Sequence, residues 1–175
     1  MIRLTFAVIA LGFVAAAARA DDQIKIPFNV VEAGFKKAKC TNNDLQDEER
    51  TAEDLGGGLK LVEVYCWRAA YQAGSIYFAV DPKAPEKARL LRFHVWSSKA
   101  KKLTISYSLT DPSFDPKTKG LGMGHKGRGA GDCGETGRWR WAGSDFMLIG
   151  YWEKPNCDGN TFDNSRRWQV YPPRG

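Results

Sequence analysis

The chain has 175 residues, of which 43% are hydrophobic and 26% are charged, and its formal net charge is +6. This composition is typical of a folded soluble protein, and it excludes a disordered tail, a coiled coil and a collagen-like polymer. The length allows one domain, or two at most.

The N-terminus has the pattern of a secretory signal peptide. Arg3 supplies a positive charge, an uncharged and mostly apolar run follows from Leu4 to Ala18, and Ala18-Arg19-Ala20 is a cleavage site. The apolar run of about fifteen residues is shorter than the roughly 20 that a membrane-spanning helix needs. We therefore expect residues 1–20 to be cleaved, leaving residues 21–175 as a single periplasmic or secreted domain without a transmembrane segment. The mature chain loses Arg3 and Arg19, so its net charge falls from +6 to +4, which does not indicate a nucleic-acid partner.

The cysteines indicate disulfides rather than a metal site. An even number of cysteines in an exported chain predicts two disulfides, with three possible connectivities. A zinc site needs close ligand pairs such as Cys-x₂-Cys, and no two cysteines here are closer than 24 residues. We expect neither a metal nor a cofactor. The cysteines are Cys40, Cys66, Cys133 and Cys157.

The N-terminal part of the mature chain is predicted to hold one helix, from Asn29 to Ala38. Asn29 is a suitable N-cap, and Glu32 three residues later completes a capping box. An acidic stretch follows from Asp44 to Asp54. We expect it to form a solvated loop or one more short helix, ended by Gly56-Gly57-Gly58.

Period-two patterns then predict four strands. The clearest is the last, in which apolar residues alternate with polar ones and should form a buried face. The polar turn from Ser97 to Lys102 makes the third and fourth strands a hairpin. The strands are Leu59 to Trp67, Ser75 to Val80, Arg89 to Trp96, and Leu103 to Leu109.

A second hairpin is predicted from Arg138 to Glu153, around the two-residue turn Gly143-Ser144, which suits a type II′ geometry. If this pairing is extended away from the turn, Cys133 lies opposite position 154, close to Cys157. We therefore favour Cys133–Cys157 and Cys40–Cys66. The predicted pairs are Trp141 with Phe146, Arg140 with Met147, Trp139 with Leu148, and Arg138 with Ile149.

A last short strand, Arg167 to Tyr171, is stopped by Pro172-Pro173. Sequential antiparallel strands of this kind predict a mainly β fold, either a sandwich or a barrel, with one short helix.

The region from Asp111 to Gly137 holds eight of the 18 glycines and is predicted to be irregular. Gly122 to Gly127 fits the G-x-G-x-x-G pattern, but the glycines that follow leave no place for the helix of a dinucleotide fold. Long irregular regions in compact domains are often functional.

Candidate ligand-binding residues lie in this region and in the hairpin after it: Lys126, Arg128, Asp132, Arg138 and Arg140. Arg128 and Asp132 are four residues apart. In a functional interpretation, Lys126, Arg128 and backbone N–H groups bind an anion or a polar ligand. In a structural interpretation, the Arg–Asp pair satisfies the backbone of a tight loop. Both remain open. Arg138 and Arg140 extend the basic surface beside aromatic residues.

The sequence contains few catalytic candidates. His94 and His125 are the only histidines, there is no G-x-S-x-G motif, and Cys133 as a nucleophile conflicts with its disulfide. No catalytic residue is predicted. The Asp158-Gly159-Asn160 segment offers clustered oxygens but lacks the glycine and glutamate of an EF-hand loop, so it is read as a polar turn.

Three segments together resemble a known family: Cys66 to Ser75, Leu109 to Asp115, and Lys126 to Gly134. They are similar to exported proteobacterial proteins of domain-of-unknown-function family 1176, and the resemblance spans about Val30 to Trp168. It supports export and two disulfides, and it implies no activity, substrate or catalytic residue.

We expect an exported, non-catalytic binding or envelope-interaction module whose partner is an envelope component or an anionic ligand. One alternative is a hydrolase acting on cell-envelope material, with His125 as base and Asp132 as its orienting partner. Another is an inhibitor of a lysozyme-type enzyme, acting through the acidic stretch from Asp44 to Asp54.

Overall fold

The computed structural model describes residues 24–41 and 52–173. Within these ranges the chain forms one α-helix, twelve strands and two short 3₁₀ turns. The helix and strands are α1 (Phe28–Ala38), β1 (Ala52–Gly56), β2 (Leu59–Arg68), β3 (Ala73–Val80), β4 (Arg89–Leu90), β5 (Phe93–Ser97), β6 (Lys102–Ser106), β7 (Leu109–Thr110), β8 (Ser113–Asp115), β9 (Gly120–Lys126), β10 (Gly134–Trp141), β11 (Phe146–Lys154) and β12 (Gln169–Tyr171). None of the described residues forms a helix long and apolar enough to cross a bilayer.

The strands form three antiparallel sheets. The first has the order β1-β2-β3-β4, with β7 also paired to β3, and the second has the order β12-β11-β10-β9-β8. The third is the β5–β6 hairpin. The arrangement is sandwich-like rather than a closed barrel, so the mainly β prediction is confirmed and its sandwich alternative is the right one.

A cluster of aromatic rings fills the space between the two large sheets. Trp139 is fully buried, with the rings of Phe93 and Tyr151 edge-on at centroid distances of 5.8 and 6.3 Å. Tyr77 of β3 contacts Phe93 in the same edge-on way at 6.1 Å. The Trp139 Nε1–H donates to the backbone oxygen of His94 at 3.0 Å, which ties the β5–β6 hairpin to the second sheet. Edge-on aromatic pairs of this kind add to the stabilisation from burial.

A second core lies on the other face of the first sheet, under α1. Val31 and Phe35 of the helix are buried against Ile76 and Phe78 of β3. A Cβ on Gly34 would lie 2.7 Å from the Phe78 ring, so this glycine lets the helix approach the sheet closely. Strand β3 is therefore covered on both faces, which explains why nearly all of its residues are buried.

Both predicted disulfides are confirmed, Cys40–Cys66 and Cys133–Cys157. The first ties the end of α1 to β2, and the second lies at the end of the β10–β11 hairpin. Paired cysteines indicate an oxidising, extracytoplasmic environment.

The helix is found where it was predicted, but its predicted cap is wrong. Pro27 occupies the N-cap position and no side chain caps the helix. Glu32 instead forms an ion pair with Lys36 at 3.0 Å. The first turn is closed by the Val30 and Val31 N–H groups, which donate to the Pro27 carbonyl at 3.0 and 3.2 Å, so α1 begins at Phe28, one residue before the predicted start.

Three strand predictions need correction. The predicted irregular region from Asp111 to Gly137 contains β8, β9 and the start of β10, and its longest loop is residues 127–133. Arg89 to Trp96 and Leu103 to Leu109 each divide into two strands. In the latter stretch Ile105, predicted on the buried face, is 43% exposed and pairs with the exposed His94. The end of the acidic stretch forms β1, and its other residues lie outside the described ranges.

The register of the β10–β11 hairpin is confirmed near its turn and wrong beyond it. Trp141, Arg140 and Trp139 pair with the predicted partners. A bulge then shifts the register, so Arg138 pairs with Gly150 rather than Ile149. A bulge inserts one residue into one strand and leaves little trace in the sequence.

Candidate functional site

The predicted site centres on residues 127–133, which we call the stapled loop because Cys133 is bonded to Cys157. The loop joins β9 to β10. It is closed by a hydrogen bond from the Gly127 N–H to the Cys133 carbonyl at 2.9 Å. A second bond runs from the Gly131 N–H to the Arg128 carbonyl at 2.9 Å. The loop is thus a compact, cross-linked turn.

Packing explains why two of its glycines cannot carry side chains. A Cβ on Gly127 would lie 2.8 Å from the Cys133 sulfur. At the next strand, Gly134 has a φ of +136° and its Cβ would lie 1.9 Å from the His125 carbonyl oxygen. Only glycine fits these two positions. Gly127, the last glycine of the G-x-G-x-x-G pattern, therefore makes room for the disulfide.

Arg128 and Asp132 form the bidentate pair that the sequence suggested. Arg128 Nε donates to Asp132 Oδ1 at 2.7 Å, and Nη2 donates to Oδ2 at 2.6 Å. Asp132 Oδ2 also accepts the Gly159 N–H at 2.6 Å. The Asp132 side chain is 7% exposed, whereas that of Arg128 is 50% exposed. Asp132 therefore connects the stapled loop to the chain after Cys157 and orients Arg128 toward solvent.

The electrostatics of this pair follow from the geometry. The Arg128 guanidinium, and then the Gly159 N–H, hold the pKa of the Asp132 carboxyl well below its usual range. The same contact raises the pKa of Arg128. Asp132 is therefore an ionised acceptor at any ordinary pH. Arg128 Nη1 has no partner among the described residues and remains available as a donor.

The other three predicted cations lie on the outer face of the second sheet. Arg138 pairs with Gly122, and Arg140 with Gly120. Since side chains alternate along a strand, Lys126 projects to the same face, while Trp139 between the two arginines is buried in the sandwich. We call this surface the glycine face; it comprises Gly120, Gly122, Gly124, Lys126, Arg138 and Arg140.

The glycine face has an open backbone floor. A Cβ on Gly124 would meet nothing within 4 Å, and one on Gly122 would meet only the Ser113 carbonyl oxygen, at 3.8 Å. The side chains beside this floor come from β10 on one side and from β8 on the other, where Ser113 pairs with Gly122 and Asp115 with Gly120. A flat ligand can lie against β9 between the cationic side chains.

A folded segment, residues 155–168, borders this face on the β11 side. The Trp152 ring lies over Gly150, and the Arg138 guanidinium lies 5.4 Å from the centre of that ring. The Thr136 hydroxyl donates to Asn164 Oδ1 at 2.5 Å. Trp152 of β11 thus positions Arg138 by stacking, and Asn164 ties the segment to β10 beside it.

The same segment is anchored by Lys154, a buried cation that sequence reasoning missed. Its side chain is 0% exposed. The ammonium donates to Asp158 Oδ1 at 2.5 Å and to the Asn160 carbonyl at 2.7 Å, and it lies 5.5 Å from the centre of the Trp168 ring. The clustered oxygens after Cys157 therefore hold an ammonium of the chain itself.

Two further residues at the site were not predicted. Gln72, in the turn between β2 and β3, accepts the Lys126 N–H at 2.7 Å and donates to the Lys126 carbonyl at 3.1 Å. Next to it, Tyr71 is 72% exposed and its ring packs near Gly129. Both belong to a segment whose resemblance to a family was noted, but no local pattern pointed to these contacts.

Asp132, the orienting residue of the hydrolase alternative, has other hydrogen-bond partners. Both Asp132 oxygens are held by Arg128 and Gly159, and among the described residues Asp132 makes no hydrogen bond to His125. Asp132, Cys133 and Cys157 do lie within 4.8 Å of one another. Their sulfur atoms are bonded to each other, so this group offers no metal-ligand set.

Comparison with known proteins gives one curated relative and one family. The uncharacterized protein YpfG of Escherichia coli (strain K12) is 33% identical over 120 residues, which cover 69% of this chain and 34% of that protein. The chain thus aligns with about a third of the length of this relative. No solved structure gives a significant match. A model of the family described as "Protein of unknown function (DUF1176)" matches residues 14–172, and the chain belongs to that family.

Proposed function

We propose that this protein is exported and acts without catalysis, binding an extended anionic glycan of the cell envelope on the glycine face and the adjoining stapled loop. The observation that carries the proposal is the placement of three cations, Lys126, Arg138 and Arg140, beside a strand whose outward positions are glycines. The proposed ligand is a polymer of acidic sugars.

The spacing of the cations suits an extended polymer. Residues two apart on one strand lie about 7 Å from each other, which is the separation of Arg138 and Arg140 along β10. Lys126 lies four residues from Gly122, the partner of Arg138, or about 13 Å along β9. Charges so arranged along two neighbouring strands match successive carboxylates on a chain better than a single compact anion.

One carboxylate, Asp115, lies on the same face opposite Gly120, but it forms no ion pair with the three cations. Among the described residues, Lys126 and Arg140 form no ion pair, and Arg138 stacks on Trp152 rather than on a carboxylate. Arg128 is the exception, because Asp132 is its partner. In the proposal, Asp132 keeps Arg128 oriented at one end of the surface, where the exposed Tyr71 ring offers a face for a sugar.

Export is the second part of the proposal. The signal-peptide pattern of residues 1–20 supports it, as does the presence of two disulfides. An exported chain meets the anionic polysaccharides of the envelope, which are the ligand class proposed above.

Binding of labelled oligogalacturonate, measured by fluorescence anisotropy at low salt, tests the proposal. Neutralising Arg138 and Arg140 together with glutamine should lower the affinity at least fivefold, because both charges face the ligand. The melting temperature should stay nearly unchanged, since both side chains are exposed. The matched control replaces Lys83 and Lys87, two exposed cations on another part of the molecule, and should bind as the wild type does.

Two results would contradict the proposal. If the wild type and the variant with Arg138 and Arg140 replaced by glutamine bound with equal affinity, the glycine face would be excluded as the binding site. Equally tight binding of neutral cellohexaose would show that charge does not carry recognition. Detection of the full-length chain, with residues 1–20 uncleaved, in the cytoplasmic fraction alone would refute export.

A further inference from the structure

We propose a second binding site, separate from the glycine face: the free edge of β11 accepts an extended acidic peptide as an added strand. The site lies between β11 and the β5–β6 hairpin. The added strand would run beside Phe146–Leu148, with an acidic side chain directed to Arg92 and His94.

The first half of β11 has a partner strand on one side only. Strand β10 pairs with it along its whole length, whereas β12 pairs only at Tyr151 and Trp152. Pro172 and Pro173 follow β12 directly. Because proline has no backbone N–H, β12 cannot continue its ladder along β11. The stretch from Phe146 to Ile149 is therefore a sheet edge.

The turn of the hairpin determines which backbone groups face that edge. The Ala142 N–H donates to the Asp145 carbonyl at 2.9 Å, so residue 145 directs its backbone groups to β10. In an antiparallel ladder this direction alternates; Met147 therefore also faces β10, and Phe146 and Leu148 face away. Their N–H and C=O groups have no backbone partner on the edge side among the described residues. An added strand would satisfy up to four such groups.

A cleft of about 420 Å³ lies along this edge. Phe146, Met147 and Leu148 form one wall, and Arg92, His94 and Leu103 form the other. The volume falls in the range of small-molecule and short-peptide sites. The hairpin that makes the second wall is held in place by the bond from Trp139 Nε1 to the His94 carbonyl, so the cleft is preformed.

The charges in the cleft select an acidic partner. The Arg92 and His94 side chains are exposed and neither forms an ion pair with any described residue. The one carboxylate in the lining, Asp145, is already bound by Arg89 at 2.9 Å. A carboxylate brought by the peptide would therefore find unneutralised donors.

Exposed apolar side chains flank the same edge and suit the alternating residues of an added strand. Met147 is 60% exposed, Ile149 45% and Ile105, on the hairpin, 43%. In β-strand addition the main-chain bonds supply affinity, and pockets for alternate side chains supply specificity. Together, the cationic cleft and these apolar side chains predict a peptide ligand in which an acidic residue is flanked by β-branched apolar residues.

The test uses labelled acetyl-Thr-Val-Glu-Val-Thr-amide, measured by fluorescence anisotropy with the full mature chain. Two N-methylated versions of this peptide block alternate backbone N–H groups. Strand addition predicts that one version loses at least tenfold in affinity while the other stays within about twofold, because only alternate amides face β11. Equal affinities for the two versions, or no binding below 1 mM peptide, would overturn the proposal.

A second experiment tests the contact between the peptide carboxylate and Arg92. Replacing Arg92 with glutamine should lower the affinity for the Glu peptide about fivefold. It should leave the affinity for a peptide with Gln in place of Glu unchanged. Lys25→Gln, an exposed cation next to Ile26 of the core under α1, is the control. An equal loss for both peptides would contradict the contact. Sedimentation equilibrium of the protein alone distinguishes another occupant: a dimer abolished by Ile149→Lys would mean that a second copy, and not an acidic peptide, covers the edge.

Discussion

The ammonium group of Lys154 is buried, and its ion-pair partner Asp158 is more exposed. We predict that removing the Asp158 carboxylate destabilises the protein more than replacing Lys154 itself. Lys154 is 0% exposed, whereas its partner Asp158 is 46% exposed. Replacing Asp158 with alanine leaves a buried charge with the Asn160 carbonyl as its remaining hydrogen-bond partner. Replacing Lys154 with methionine instead leaves Asp158 in contact with water and with the Asn160 N–H at 3.0 Å.

The magnitudes follow from this asymmetry. An unpaired buried charge costs about 3 kcal/mol or more, and at roughly 2–4 °C per kcal/mol for a chain of this size, Lys154 stranded by Asp158→Ala should lower the melting temperature by about 6–12 °C. Lys154→Met removes the buried charge and fills its space with a side chain of similar length. It should cost about 1 kcal/mol or less, as buried ion pairs replaced by apolar groups often do.

Thermal and denaturant unfolding of the oxidised protein measure both variants at pH 7. Lys119→Met is the control, because Lys119 forms an ion pair with Asp54 in which both side chains are substantially exposed, and such pairs contribute little. If Lys154→Met were as destabilising as Asp158→Ala, the asymmetry would be absent and the reasoning from burial would be refuted.

Two further predictions concern the stapled loop. The pKa of Asp132 is held well below its usual range, so its contribution to stability is fully present above about pH 4 and is lost as the pH falls further. Asp132→Asn should therefore lower the melting temperature at pH 7, and the difference from wild type should shrink on acid titration below about pH 4. A difference that stays constant would contradict this pH dependence. Gly127→Ala should lower the melting temperature by several degrees, because the new Cβ would lie 2.8 Å from the Cys133 sulfur. Gly124→Ala is the control and should have almost no effect, since its Cβ would meet nothing within 4 Å. Equal effects of the two substitutions in thermal unfolding would contradict the packing argument.

Period-two hydrophobicity predicted the strands whose inner and outer faces differ in polarity. The turn of the β10–β11 hairpin is of this kind. Strands β2 and β3 are buried on both faces, but their predicted positions also agree with the structure to within two residues. Strand β9 was missed because its outward positions are glycines. A glycine position carries neither polarity nor β propensity, so the inward residues Leu121 and Met123 formed no recognisable alternation.

The candidate site was predictable only where it depends on neighbours in the sequence. Arg128 and Asp132 are four residues apart, and their pairing could be proposed from that spacing. Gln72 lies 54 positions from Lys126, and the Gly159 N–H lies 27 positions from Asp132. Such contacts arise from the packing of separate elements, and a single sequence holds no local signal for them.

The two disulfides join cysteines that follow one another along the chain, 26 and 24 positions apart. A chain delivered N-terminus first into an oxidising compartment presents Cys40 and Cys66 well before Cys133 arrives. Pairing in order of appearance then yields both native bridges directly. If the chain is exported in this way, its cysteine order favours the native bridges over mispaired ones that would have to be reshuffled.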